Sequence, residues 1–103
     1  MPTGFKEAKR AVIAALRAGT FQHEARNEID VKNLLQTGGV SAQFVEGIIL
    51  RCKGTEHTCT PHHQVSAIDV HTIISQGWYV KFYFLDPDTW FISVHETAKK
   101  RKP

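Results

Sequence analysis

Cysteine is scarce in this chain, occurring only as Cys52 and Cys59, seven positions apart. That excludes a disulfide scaffold, and in a cytosolic setting both thiols are expected to be reduced. Long apolar runs are absent: no stretch approaches the about 18 consecutive apolar residues of a membrane span. The opening residues MPTGFKEAKRAV lack the charged-then-apolar layout of a secretory signal. A cytoplasmic location away from membranes is therefore expected. There is no internal repeat, low-complexity tract or linker. The 103 residues are expected to form a single domain over residues 1–98, followed by a basic tail at 99–103.

What is present supports a folded core. Hydrophobic residues make up 42% of the chain, which excludes global disorder. The net charge is +3 with histidine neutral, and six histidines add charge in acid. This mild basic bias permits an acidic partner, RNA or protein, without demanding one. The KKRKP tail, Lys99 to Pro103, reads as a solvated end rather than a binding arm.

GFKEAKRAVIAALRAGTF has the period of an amphipathic helix, with Ala8, Ala11, Val12, Ala15 and Leu16 on one side. Thr3 is the expected N-cap and Gly19 the stop. Residues 21–26 suit extended chain, and Asp30 would cap a short helix through Leu35, ended by Gly38 and Gly39. VSAQFVEGIILRC reads as a further helix. Ser41 would cap it, and Phe44, Val45, Ile48, Ile49 and Cys52 form its apolar stripe. KGTEHTCTPHHQ reads as a polar loop or irregular strand, VSAIDVHTII as a strand and SQG as a turn. WYVKFYFL and TWFISVH complete a hairpin around DPD. The expected fold is α+β: N-terminal helices packed on one face of a twisted antiparallel sheet of three or more strands.

Side chains alternate across a strand. Trp78, Val80, Phe82 and Phe84 then share the helix-facing side, as do Trp90, Ile92 and Val94. The shortest loop pairs Phe84 with Trp90, Phe82 with Ile92, and Val80 with Val94. On the other side Lys81 opposes Ser93 and Tyr79 opposes His95, with Tyr83 beyond. One reading of that side is the solvated face of an antiparallel sheet. The other is a shallow basic and aromatic site. Tyr and His stack on bases, Lys neutralises a phosphate, and His or Tyr moves a proton.

EHTCTPHHQ gathers His57, Cys59, His62 and His63, which are zinc-ligand types. Paired C-x-x-C or H-x-x-x-H spacing is lacking, so no metal and no cofactor is expected. Cys59 with His57 as a nucleophile pair shows no oxyanion site. A plain solvated loop is the most common alternative. A third reading joins loop to hairpin. Cleavage of RNA by its own 2′-hydroxyl needs a base, a cation and an acid, all within reach of His, Lys and Tyr. His57, Gln64 and His71 would then join Tyr79, Lys81 and His95.

FKEAKRAVIAALRAG, VSAQFVEGIILRC and WYVKFYFLDPDTWFISVHE, in that order, resemble the MqsR-like toxins of bacterial toxin–antitoxin pairs, within the wider RelE/BrnT-like fold. The hairpin carries the resemblance: the family's has a Tyr-x-Lys strand, a turn and then Ser-x-Lys-Glu, where this chain has Ser93-Val94-His95-Glu96. The resemblance implies a single RelE-like domain and a metal-independent endoribonuclease that cuts mRNA, an mRNA interferase. It implies two partners, the RNA substrate and a cognate antitoxin protein that silences the toxin in a hetero-oligomer. Position by position, Tyr79 falls on a family active-site tyrosine and Lys81 on the lysine two residues later. His95 stands where the family carries an active-site lysine. His57, or failing that Lys53, lies nearest the family's lysine before the central strands. Gln64 is the loose counterpart of its glutamine. Tyr83, Ser93 and His71 are expected to help bind substrate. HEARNEIDVKNLL also resembles small toxin-like domains with an early His and Arg, which adds His23 and Arg26 as candidates. The competing class is a non-catalytic protein- or nucleic-acid-binding module of the same fold, with Phe91 as an exposed contact. A zinc-bound structural domain is the third.

Overall fold

The computed structural model describes residues 4–24, 33–85 and 88–97. Arg26, Asp30, the DP pair of the hairpin loop and the Lys99–Pro103 tail lie outside these residues. Helix α1 spans Phe5–Ala18 and buries Ala8, Val12, Ala15 and Leu16. Its N-cap is Gly4, with no side-chain cap; Thr3, the expected cap, is outside the described residues. Gly19 ends it in the left-handed region, φ 78°, and donates its N–H to the Ala15 carbonyl.

Strand β1, Phe21–His23, follows at once. Helix α2 spans Leu34–Thr37, and the expected start at Asp30 lies outside the described residues. Asn33, just before it, bridges Val94 of the sheet. Its side chain accepts from the Gln36 N–H at 3.1 Å and caps the helix there. Helix α3, Ala42–Arg51, is capped by Ser41 as expected, through Phe44 N–H at 3.0 Å. It buries Val45, Ile48 and Ile49. Phe44 departs from the expected stripe: it is exposed and meets Trp78 edge-to-face.

A 3-10 turn, Gly54–Glu56, leads into β2, His57–Pro61. Then come β3, Asp69–Ser75, β4, Trp78–Leu85, and β5, Asp88–Glu96. The five-stranded sheet has the order β1-β5-β4-β3-β2, with β1 parallel to β5 and the other pairs antiparallel. The fold is thus the α+β arrangement expected, with helices on one face. Gln76 and Gly77, at φ 58° and 82°, make the tight β3–β4 turn.

One irregularity redistributes the hairpin. Val80 pairs with Val94, Lys81 with Ser93 and Tyr79 with His95, but Phe82 pairs with Phe91 and Tyr83 with Trp90. A bulge between Lys81 and Phe82 leaves Ile92 as the extra residue of β5. Each side chain of β5 before the bulge therefore faces opposite to the regular register. Phe91, expected as an exposed contact, is fully buried between Phe21 and Phe82. Trp90 and Ile92, expected in the main core, pack on the outer face with Val70 and Tyr83. The helix-side core comprises Val12, Leu16, Val45, Ile49, Cys52, Ile73, Val80, Phe82, Phe91 and Val94. No helix among the described residues is long and apolar enough to cross a membrane.

Candidate functional site

The outer face has a closed end and an open end. At the closed end, residues 62–68 fold over Val70 and Tyr83. His62 anchors this segment. Its Nδ1 accepts from the N–H groups of Gln64 and Val65, at 3.1 and 3.3 Å. Its Nε2 therefore carries the proton and donates to Glu24 Oε2 at 2.9 Å. The Tyr83 hydroxyl donates to the same oxygen at 3.2 Å. Burial, and then the Glu24 carboxylate, push the Tyr83 phenol up to about 12. Tyr83 is a clamp beneath the strap rather than a ring offered to a ligand.

The open end lies by the β3–β4 turn. Tyr79 and His95, opposed on neighbouring strands, stack with centroids 4.8 Å apart and planes 20° from parallel. His95 Nδ1 lies 2.7 Å from the Glu96 carbonyl oxygen. That oxygen only accepts, so Nδ1 carries a proton, and in the neutral ring Nε2 holds the lone pair. Lys81 sits two residues along β4 on the same face, paired with Ser93 and Thr72. Two residues of strand span about 6.6 Å. Ser93 is buried beneath this row. A cavity of about 560 Å³ opens beside the stack, lined by Tyr79, His95, Ile74, Glu56, Gln76 and Thr97 among others.

His57 and His71 are not in this group. His71 pairs with Phe82 and His57 with Ile73, so both rings lie on the helix side. His57 Nε2 and His71 Nδ1 share a hydrogen bond of 3.0 Å, and the rings stack. Phe5 packs against His57, while Phe82 and Phe84 flank His71. His71 is fully buried and its Nε2 has no partner. A buried N–H without an acceptor is costlier than a buried lone pair, so His71 donates from Nδ1. Burial pulls both imidazoles below their usual value, and the neighbouring His57 adds to the effect on His71. The expected union of His57 and His71 with Tyr79, Lys81 and His95 is therefore corrected: the sheet stands between them.

The remaining candidates scatter. Lys53 is exposed at the start of the 3-10 turn, where its backbone N–H donates to Glu56 Oε1 at 2.7 Å. Gln64 is exposed on the strap. His23 is half-buried against Phe21 and Phe91, its Nδ1 facing the Asn33 amide. Burial, then Asp69, push the exposed Cys59 thiol up, which opposes a thiolate nucleophile. Among the described residues no three His, Cys, Asp or Glu side chains converge as a metal site requires. Glu56, Ile74, Gln76 and Thr97 escape sequence reasoning, because only the turn geometry brings them to the stack. Searches against family models, curated proteins and solved structures find no match.

Proposed function

We propose that the chain is the toxin of a bacterial type II toxin–antitoxin pair, a cytoplasmic, metal-independent endoribonuclease that cuts mRNA. The observation that carries this reading is the Tyr79–His95 stack, with the His95 Nε2 lone pair free and Lys81 on the same face.

The chemistry follows from these groups. A base of the RNA stacks at the open end, and the scissile phosphate lies against the Lys81 ammonium. His95 Nε2 takes the proton of the 2′-hydroxyl, whose oxygen attacks phosphorus. Lys81 stabilises the charge that builds on the phosphoryl oxygens. The bond to the 5′-oxygen breaks, and the Tyr79 hydroxyl protonates that leaving oxygen. The products are a 2′,3′-cyclic phosphate and a 5′-hydroxyl. Proton return from imidazolium to phenolate, through water, restores the enzyme. A histidine where the resembled family has lysine suits the base role, since lysine stays protonated at neutral pH.

The test is incubation of the purified chain with single-stranded RNA in the presence of a chelator. Fragments ending in cyclic phosphate are expected. Intact RNA, together with a stable complex between the chain and another protein, would favour the non-catalytic module.

A further inference from the structure

The cavity beside the stack contains a group that RNA cleavage does not use. Glu56 carries a carboxylate into it, in a chain of net charge +3. The Lys53 N–H and the Ser75 hydroxyl beside it hold that carboxyl below its usual range. The Lys53 charge also acts on it, although no direct ion pair joins Glu56 to a described residue. A carboxylate offers about four lone-pair sites, so these neighbours leave acceptor capacity unused. Next to it stands Ile74, half exposed, and beyond that its cross-strand partner Tyr79. Across the sheet the order is carboxylate, apolar surface, aromatic ring, imidazole.

We propose that this cavity receives an arginine side chain of a partner protein, its stem over Ile74 and its guanidinium on Glu56, and that its occupancy closes the Tyr79–His95 groove. Three interactions favour this side chain, and the second separates arginine from lysine. Long cationic side chains cover apolar surface with their stems while the head stays polar. A guanidinium meets a carboxylate through two parallel N–H bonds, which an ammonium cannot do. It is also attracted to the face of a neighbouring aromatic ring. A nucleotide fits less well, because its phosphates would be brought toward the Glu56 charge. The inference rests on the proposed nuclease reading for its consequence, silencing, but the occupant is measured without RNA.

The experiment titrates the 15N-labelled full chain with acetyl-Gly-Arg-Gly-amide. Parallel titrations use the same peptide with citrulline, a neutral isostere of arginine, and guanosine 3′-monophosphate. The arginine peptide is expected to shift the Gly77 and Thr97 amide signals saturably. The citrulline peptide should bind roughly tenfold more weakly. Glu56→Gln, which keeps an acceptor for the Lys53 N–H, should erase that difference. Equal binding of the two peptides, or no binding by either, overturns the proposal. Glu56-dependent binding of the nucleotide in preference to the arginine peptide also overturns it, and makes the cavity a base reader. A chain that takes the arginine peptide but never cuts RNA leaves the occupant standing and removes the nuclease reading. A chain that cuts RNA without discriminating the peptides does the reverse.

Discussion

Two ring pairs sit on opposite sides of the same sheet. His57 and His71 stack on the helix side, hydrogen-bonded to each other and enclosed by Phe5, Phe82 and Phe84. Tyr79 and His95 stack on the outer side, above an open cavity. The residue types are nearly the same, and the surroundings assign different work. The buried pair shares one hydrogen bond and keeps His71 Nε2 as an unpartnered lone pair. The open pair spends one imidazole nitrogen on a backbone carbonyl, and its rings line the cavity. Which face a strand position takes thus decides whether a histidine supports the core or is available for proton transfer.

The widest separation between the pairs is expected in catalysis. His95→Ala should lower RNA cleavage by about 10²–10⁴-fold, the usual worth of a positioned base, while barely changing the urea midpoint. His57→Ala should leave the cleavage rate of the folded protein near wild type and lower the midpoint instead. Loss of cleavage in both would merge the two sites that the sheet divides.

The core side is sharpened by stability. Phe91→Ala should cost about 3–5 kcal/mol in urea unfolding, as for other buried phenylalanines. Tyr79→Ala, on the open side, should cost well under half of that. A small loss at Phe91 would mean the bulge is absent and the regular register holds. At the closed end, Tyr83→Phe removes one hydrogen bond to Glu24 and should cost roughly 1–2 kcal/mol.

The smallest effect is in pH. His57 and His71 have folded values below the usual 6.5. Between that value and the lower folded ones, the unfolded chain binds more protons than the native one, so stability rises with pH. Their contribution is complete above about 6.5 and is lost as pH falls toward the folded values. Unfolding midpoints from pH 7.5 down to 5 should therefore decline, and His71→Phe should flatten the decline. A slope unchanged by that substitution would place the effect elsewhere.

Much of this contrast was legible in the strand pattern, and its limits have physical causes. Alternation along Trp78–Leu85 identified the core side of β4, and the Tyr79–His95 and Lys81–Ser93 pairs followed from parity. The bulge did not show, because no glycine or proline marks Ile92. Beyond it, Phe91 exchanged faces with Trp90 and Ile92. His57 and His71 could be placed only once β2 and β3 had a register, which a loop of uncertain length hid. Glu56 joined the cavity through a 3-10 turn, and Glu24 reached Tyr83 from the far edge of the sheet. Contacts between distant segments leave no local period to read.

The most direct test follows ring signals of the histidines and tyrosines by NMR while single-stranded RNA blocked by 2′-O-methyl groups is added. Shifts of His95 and Tyr79, with His57 and His71 unmoved, are the result expected of an outer-face RNA site. Shifts confined to His57 and His71, or no shift at any of the four rings, would contradict it.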